Sequence, residues 1–218
     1  LIDRKIYRAV LSGGSGFGLP ERVVELRYLT HLLGSCNGAI LDVGYAHAMK
    51  CHYRILARYK KKNVLVGVDP APRRAWVHRV YDWTAQYDVC NMGFPDAMFD
   101  LVVCISTLEH IGLDGYGVTS SGTARKAVEE MCRVLRPRGR ILITVPFGRA
   151  RDYGWFRVYD TVALLDYIQV IPNPRIMCHA HTDAGWVRTD AEALADVDYY
   201  SQNNAGAAAV AIIIGNKT

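Results

Sequence analysis

Ala39-Ile40-Leu41-Asp42-Val43-Gly44 and Asn63-Val64-Leu65-Val66-Gly67-Val68-Asp69 are the two stretches that decide the fold. Each is a short apolar run that ends in an acid, as a strand buried on both faces does when it reaches the edge of its sheet. Between them, Met49 to Tyr59 can form one helix. Strand, turn, helix and strand in this length make a βαβ unit, whose strands run parallel. In such a unit a ligand sits outside the carboxyl ends of the strands. Asp42, Gly44 and Asp69 all belong at that edge.

The flanks extend the alternation. Leu1 to Leu11 is a mixed segment with helical character, and Ser12-Gly13-Gly14-Ser15-Gly16-Phe17-Gly18 follows it. This is a poor dinucleotide loop, because GxGxxG started at Gly14 and Gly16 has Leu19 in its third position. It reads as a flexible hinge, which makes residues 1–19 an arm or lid and residues 20–218 a single domain. Pro20-Glu21 opens a helix whose apolar side is Val23, Val24, Leu26, Leu29, Leu32 and Leu33, ended by Gly34. Arg73 to Asp88 admits either a short helix or a weak strand. Met92 to Asp96 is a turn, and Phe99 to Ser106 is a buried strand. Thr123 caps a helix from Ala124 to Leu135, Pro137-Arg138-Gly139 turns the chain, and Arg140 to Val145 is another buried strand. Asp160 caps a helix through Tyr167. Tyr167 to Ile171 and Ala207 to Ile214 are β-like and are expected to pair antiparallel at one sheet edge.

Composition sets limits on partners. Half the residues are apolar, 22% are charged, and the net charge is +5, which is ordinary for a globular chain. Lys60-Lys61-Lys62 falls at a helix C-terminus, where cations are stabilising, and no basic stripe with aromatics accompanies it. No nucleic-acid partner is therefore expected. The six cysteines are scattered without a CxxC, which suggests buried free thiols in a reducing compartment. No signal-peptide pattern or membrane span is legible, so the expectation is a cytoplasmic protein without a membrane partner.

The acids at the strand ends describe a ligand. Asp69 is placed to accept from two ribose hydroxyls, and it disfavours a 2′-phosphate. Gly44 lets the backbone approach closely. Asp88 can accept from an exocyclic amine. Asp42 beside the turn repels a pyrophosphate and attracts an ammonium or sulfonium.

Leu41-Asp42-Val43-Gly44, Asp69, Asp88 followed by Met92 to Asp100, and Val134-Leu135-Arg136-Pro137-Arg138-Gly139-Arg140 occur in the order and spacing of class I S-adenosylmethionine-dependent methyltransferases. The resemblance runs from Pro20 to Val145. Ser106 to Gly112, Gly115-Tyr116-Gly117, Val145 to Gly148 and Arg157 to Asp160 further resemble small bacterial and archaeal methyltransferases found with sugar or natural-product modification genes. The resemblance implies a Rossmann-like doubly wound α/β sheet, mostly parallel, with an antiparallel edge hairpin near the C-terminus. It implies S-adenosyl-L-methionine as cofactor and a small-molecule acceptor. Asp42 and Gly44 would face the methionine end, Asp69 the ribose, Asp88 and the Val89 amide the adenine, and Ile105 and Ser106 the reacting side, with Tyr45, Ala46 and Pro70 also among the cofactor-binding residues. Ala46 and Ala48 stand where the family usually has glycine. A left-handed backbone at Ala46 would store roughly 1–2 kcal/mol of strain, and Tyr45 and His47 could stack on the ligand or narrow its pocket.

Methyl transfer is an in-line displacement, so the enzyme chiefly positions the acceptor and excludes water. A hydroxyl acceptor also needs a base. His110 is the candidate, with an unperturbed pKa suited to the task, and Glu109 is the second. His179, His181 and Asp183 alternate in the way metal ligands on a strand face do, but in an irregular region they read as loop or pocket lining; no metal is expected. The competing readings are an NAD-dependent oxidoreductase, which would also use Asp69, and a non-catalytic binding domain of the same fold.

Overall fold

A computed structural model describes residues 1–71, 77–115, 118–119, 122–201 and 206–218. Tyr116 and Gly117, from one of the motifs above, lie outside the described residues, as does the start of the Arg73 to Asp88 segment. In chain order the elements are α1 (Ile2–Ser12), α2 (Arg22–Gly34), β1 (Ala39–Val43), α3 (Lys50–Tyr59), β2 (Val64–Val68), β3 (Trp83–Ala85) and β4 (Phe99–Ile105). The short pair β5 (Asp114–Gly115) and β6 (Val118–Thr119) follows, then α4 (Ala124–Val134), β7 (Leu135–Pro146), and the small pair β8 (Arg151–Asp152) and β9 (Arg157–Val158). The chain closes with α5 (Thr161–Ile168), β10 (Arg175–Thr182), β11 (Gly185–Thr189) and β12 (Ala209–Asn216).

The main sheet has eight strands in the order β11-β10-β12-β7-β4-β1-β2-β3. From β7 to β3 every neighbour is parallel, and β7, β12, β10 and β11 are joined antiparallel. This is the Rossmann-like sheet with its antiparallel edge. After β3 the chain crosses back to β4 on the other side of β1, so the order reverses there, the place where open α/β sheets hold ligands. Alternate residues of β4 feed two cores: Val102 and Cys104 pack with α4 and α5, whereas Leu101, Val103 and Ile105 pack with the layer of α1, α2 and α3.

The expected βαβ unit is present, with Ile40 opposite Leu65 and Val43 opposite Val68. Thr123 accepts from the Lys126 amide at 3.2 Å and Asp160 from the Ala163 amide at 2.7 Å, so both expected caps form. The Arg73 to Asp88 segment contains both alternatives: a one-turn helix over Val77–Arg79 and the strand β3. All six cysteines are free and Cys132 alone is not fully buried.

Two expectations are corrected. Pro137-Arg138-Gly139 does not separate helix from strand, because β7 already begins at Leu135. Its register against β4 jumps from Phe99–Leu135 to Leu101–Arg140, so the intervening residues bulge, with Arg138 at a φ of 64°. Tyr167 to Ile171 is not a strand. Its first two residues finish α5 and the rest turns, and β12 pairs with β7 on one side and β10 on the other. Within residues 1–19, helix α1 packs against α2 and α3. Ile6 and Val10 are buried, and the Asp3 carboxylate accepts from the Cys51 amide at 3.0 Å, in the first turn of α3.

Candidate functional site

The carboxyl ends of β1, β2 and β4 open on a cavity of about 280 Å³, near the lower end of the range for small-molecule clefts. The first half of its wall comes from β1, β2 and the segment after β3. Gly44 leaves β1 at a φ of 79°, and its amide donates to the Val68 carbonyl at 2.9 Å. A Cβ here would collide with Thr107, so glycine is required both by conformation and by space.

Asp69 ends β2 and is 6% exposed. Its Oδ2 accepts from the Ala46 amide at 3.0 Å and its Oδ1 from the Ala71 amide at 2.8 Å. Burial holds this carboxyl above the usual carboxylate range, and the two amide bonds work against that rise. Each oxygen has a further lone pair, which suits a vicinal diol. Asp88 caps the turn Val89–Asn91 by accepting from the Cys90 amide at 2.9 Å, and Asp88, Val89 and Pro70 all line the cavity.

Asp42 also lines the cavity, but it is held as part of the wall. It is 1% exposed, its Oδ2 lies 2.7 Å from His52 Nε2, and the Tyr81 hydroxyl donates to the same oxygen. Tyr45 and Ala46 depart from expectation because neither lines the cavity. The Tyr45 ring turns beneath Gly67 and packs against Tyr81, with centroids 5.1 Å apart, so it does not stack on a ligand. Ala46 contributes its amide to Asp69. It carries no left-handed strain, because Tyr45–His47 winds into one turn of 3₁₀ helix once Gly44 has taken the positive φ. His47 does line the cavity.

The second half of the wall comes from α2 and from the segments after β4 and β7. Ile105, Ser106, Glu109 and His110 line it. Ser106 has a φ of 43°, a strained value for a residue with a side chain. Its hydroxyl donates to Glu25 Oε1 at 2.7 Å, and Thr144 donates to the same oxygen at 2.6 Å. Glu25 Oε2 pairs with Arg22 at 2.8 Å, with the Glu25 side chain wholly buried. His110 Nδ1 donates to the Trp155 carbonyl at 2.7 Å, and its ring stacks on that indole with centroids 5.4 Å apart. That bond makes Nε2 the basic nitrogen, and burial lowers the pKa of the ring. Glu109 is 3% exposed, its Oε2 has no hydrogen-bond partner, and burial pushes its carboxyl far above the usual range. Glu21 is raised to about 7, first by burial and then by Glu25.

Glu21, Arg22, Glu25, Thr144, His52 and Tyr81 were not expected at the site. Arg22 and Glu25 did leave a signal, as a charged i,i+3 pair set within the apolar side of a helix. His179 and His181 share a face of β10 and are not part of this cavity's lining, and Asp183 is exposed in the turn after them. His179 lies 2.9 Å from the Tyr28 hydroxyl, and burial beside Arg188 and Arg27 lowers its pKa to about 4. Among the described residues no group of three His, Cys, Asp or Glu side chains is arranged to hold a metal, and no helix is long and apolar enough to cross a membrane.

Residues 41–143 match a family described as a methyltransferase domain. No curated protein matches the chain in sequence. Among solved structures, the 1,6-didemethyltoxoflavin-N1-methyltransferase of Burkholderia thailandensis, crystallised with that compound and S-adenosylhomocysteine, is 15% identical, with a TM-score of 0.57 over 88% of this chain and 76% of that one. An S-adenosylmethionine-dependent methyltransferase of Thermotoga maritima is 15% identical, with a TM-score of 0.59 over 100% and 92%. The [4+2]-cyclase SpnF is 17% identical, with a TM-score of 0.55 over 99% and 92%. These likenesses establish the fold, and the cyclase among them shows that the fold carries more than one chemistry.

Proposed function

We propose that this chain, whose residues 41–143 match a methyltransferase domain, is an S-adenosylmethionine-dependent methyltransferase that transfers the methyl group to an oxygen or nitrogen of a small molecule. One observation carries this reading. Gly44, Asp69 and Asp88, drawn from three separate segments, line one cavity at the reversal of strand order, and His110 and Glu109 line the same cavity. Asp69, with two oxygens each already steadied by one amide, accepts from the ribose hydroxyls. Asp88 and the Val89 amide read the adenine. The cofactor, when bound, supplies a methyl group on a sulfonium, open to attack opposite the sulfur. The Trp155, Phe156 and Tyr199 rings line the acceptor half and keep water out. His110, its tautomer set by the Trp155 carbonyl, takes the acceptor's proton at Nε2.

Calorimetric titration tests this. S-adenosylmethionine and S-adenosylhomocysteine are expected to bind and NAD is not. Incubation with cofactor labelled in its methyl group is expected to move label to a small acceptor. Preferential binding of NAD would transfer the site to the oxidoreductase reading, because Asp69 suits either ribose. Binding of the cofactor with no transfer to any acceptor would leave a binding domain.

A further inference from the structure

The acceptor half of the cavity has an unusual charge balance. Glu21 and Glu109 line it, and Glu25 stands directly behind. Among the described lining residues Arg22 is the one arginine or lysine, and Glu25 pairs with it at 2.8 Å. Arg22 also interacts with Glu21 and Glu109, so its single charge is shared among three carboxyls and is outnumbered by them. Glu21 accepts from the Ala207 amide at 3.1 Å. Glu109 joins that cluster from the segment after β4. Its Oε2 is buried without a hydrogen-bond partner, and a buried acceptor in that condition is costly to maintain. Three aromatic side chains, Trp155, Phe156 and Tyr199, line the same half.

Carboxyls with aromatic faces and no free cation form a setting complementary to an organic ammonium. The ring faces attract it, and the carboxylates accept its N–H groups. An anionic or phosphorylated acceptor would find no free cation here and would oppose ionisation of the carboxyls, which an ammonium favours. A neutral alcohol would leave the excess carboxyls uncompensated.

We propose that the methyl acceptor is an amine that enters as its ammonium, with Glu109 as the group that binds its nitrogen and Trp155, Phe156 and Tyr199 as the walls around it. The proposal rests on the methyl-transfer reading of the same cavity. The ammonium gives one proton to His110 Nε2, whose Nδ1–H is already held by the Trp155 carbonyl. The freed nitrogen lone pair bonds the methyl carbon as the carbon–sulfur pair withdraws onto sulfur. The product leaves as an N-methylammonium, with S-adenosylhomocysteine as the neutral thioether and His110 passing its proton to water.

The test uses the full chain saturated with S-adenosylhomocysteine and titrated calorimetrically with benzylamine, phenethylamine and cyclohexylamine. The matching alcohols and carboxylic acids serve as comparison. At least one amine is expected to bind at least tenfold more tightly than its alcohol or acid. Glu109→Gln keeps the shape of the side chain and removes the carboxyl that ionises beside an ammonium; it should weaken that amine at least tenfold while S-adenosylhomocysteine binds as before. Cofactor binding thus also reports that the variant is folded. If S-adenosylhomocysteine binds but no amine does, if alcohols bind equally well, or if Glu109→Gln retains amine affinity, the amine assignment is overturned and the methyltransferase reading survives. If S-adenosylhomocysteine does not bind the parent protein, both are overturned.

Discussion

Asp69 and His110 are the residues whose surroundings bear most directly on their work. Asp69 is fixed from two sides by amides of Ala46 and Ala71, so its oxygens are aimed before any ligand arrives. Asp69→Ala is expected to weaken S-adenosylhomocysteine binding tenfold or more, in line with about 1.5–3 kcal/mol for hydrogen bonds to a charged group. Calorimetry measures this, and unchanged affinity would remove Asp69 from the ribose site. His110 makes a different prediction. Burial disfavours its cation, so its pKa lies below the ordinary 6.5. As a base it works when neutral, so kcat/KM should rise with pH along an acid limb below pH 6.5 and level off near neutrality. The limb should vanish in His110→Gln; if it persists there, another group is the base. Asp42, Gly44, Asp69 and Asp88 were legible in the sequence because each ends a strand or opens a turn. The orientation of Tyr45 was not, since it depends on the space beneath Gly67, on a neighbouring strand.

At the scale of elements, helix α3 lacks a side-chain cap of its own, because Met49 stands at its N-cap. Asp3 of α1 supplies the missing acceptor through its bond to the Cys51 amide. Asp3→Ala should therefore cost about 1 kcal/mol, the usual worth of such a cap. The urea midpoint would fall with the slope unchanged; an unaltered midpoint would mean that α1 is docked by its apolar face alone. The βαβ unit, α4 and α5 were legible because their signals are local: apolar runs of strand length, helical spacing, and Thr123 and Asp160 as caps. β10 was not. Arg175-Ile176-Met177-Cys178-His179-Ala180-His181-Thr182 mixes polar and apolar residues, and its strand form follows from pairing with β12 on one side and β11 on the other. The Arg22–Glu25 pair was hidden for a related reason. Its partners Ser106 and Thr144 come from β4 and β7, which only the assembled sheet brings to the start of α2.

For the molecule as a whole, the cavity joins segments that are far apart in sequence: the start of α2, the ends of β1, β2 and β4, and the segments after β3 and β7. A ligand bridging both halves stabilises only the assembled sheet, because none of these segments forms the site alone. Folding and binding are then linked, and ligand at one hundred times its Kd should add about 2.7 kcal/mol to stability. For a domain of this size, each kcal/mol moves Tm by about 2–4 °C. S-adenosylhomocysteine should thus raise Tm by roughly 5–10 °C, and NAD at the same concentration should leave it where it was. Asp69→Ala should lose about half of this rise or more at an equal ligand concentration while its ligand-free Tm shifts little. Scanning calorimetry with each ligand measures all three quantities. A rise with NAD that matches the rise with S-adenosylhomocysteine would mean that the cavity recognises adenosine alone, and the homocysteine end would then have no part in selecting the ligand.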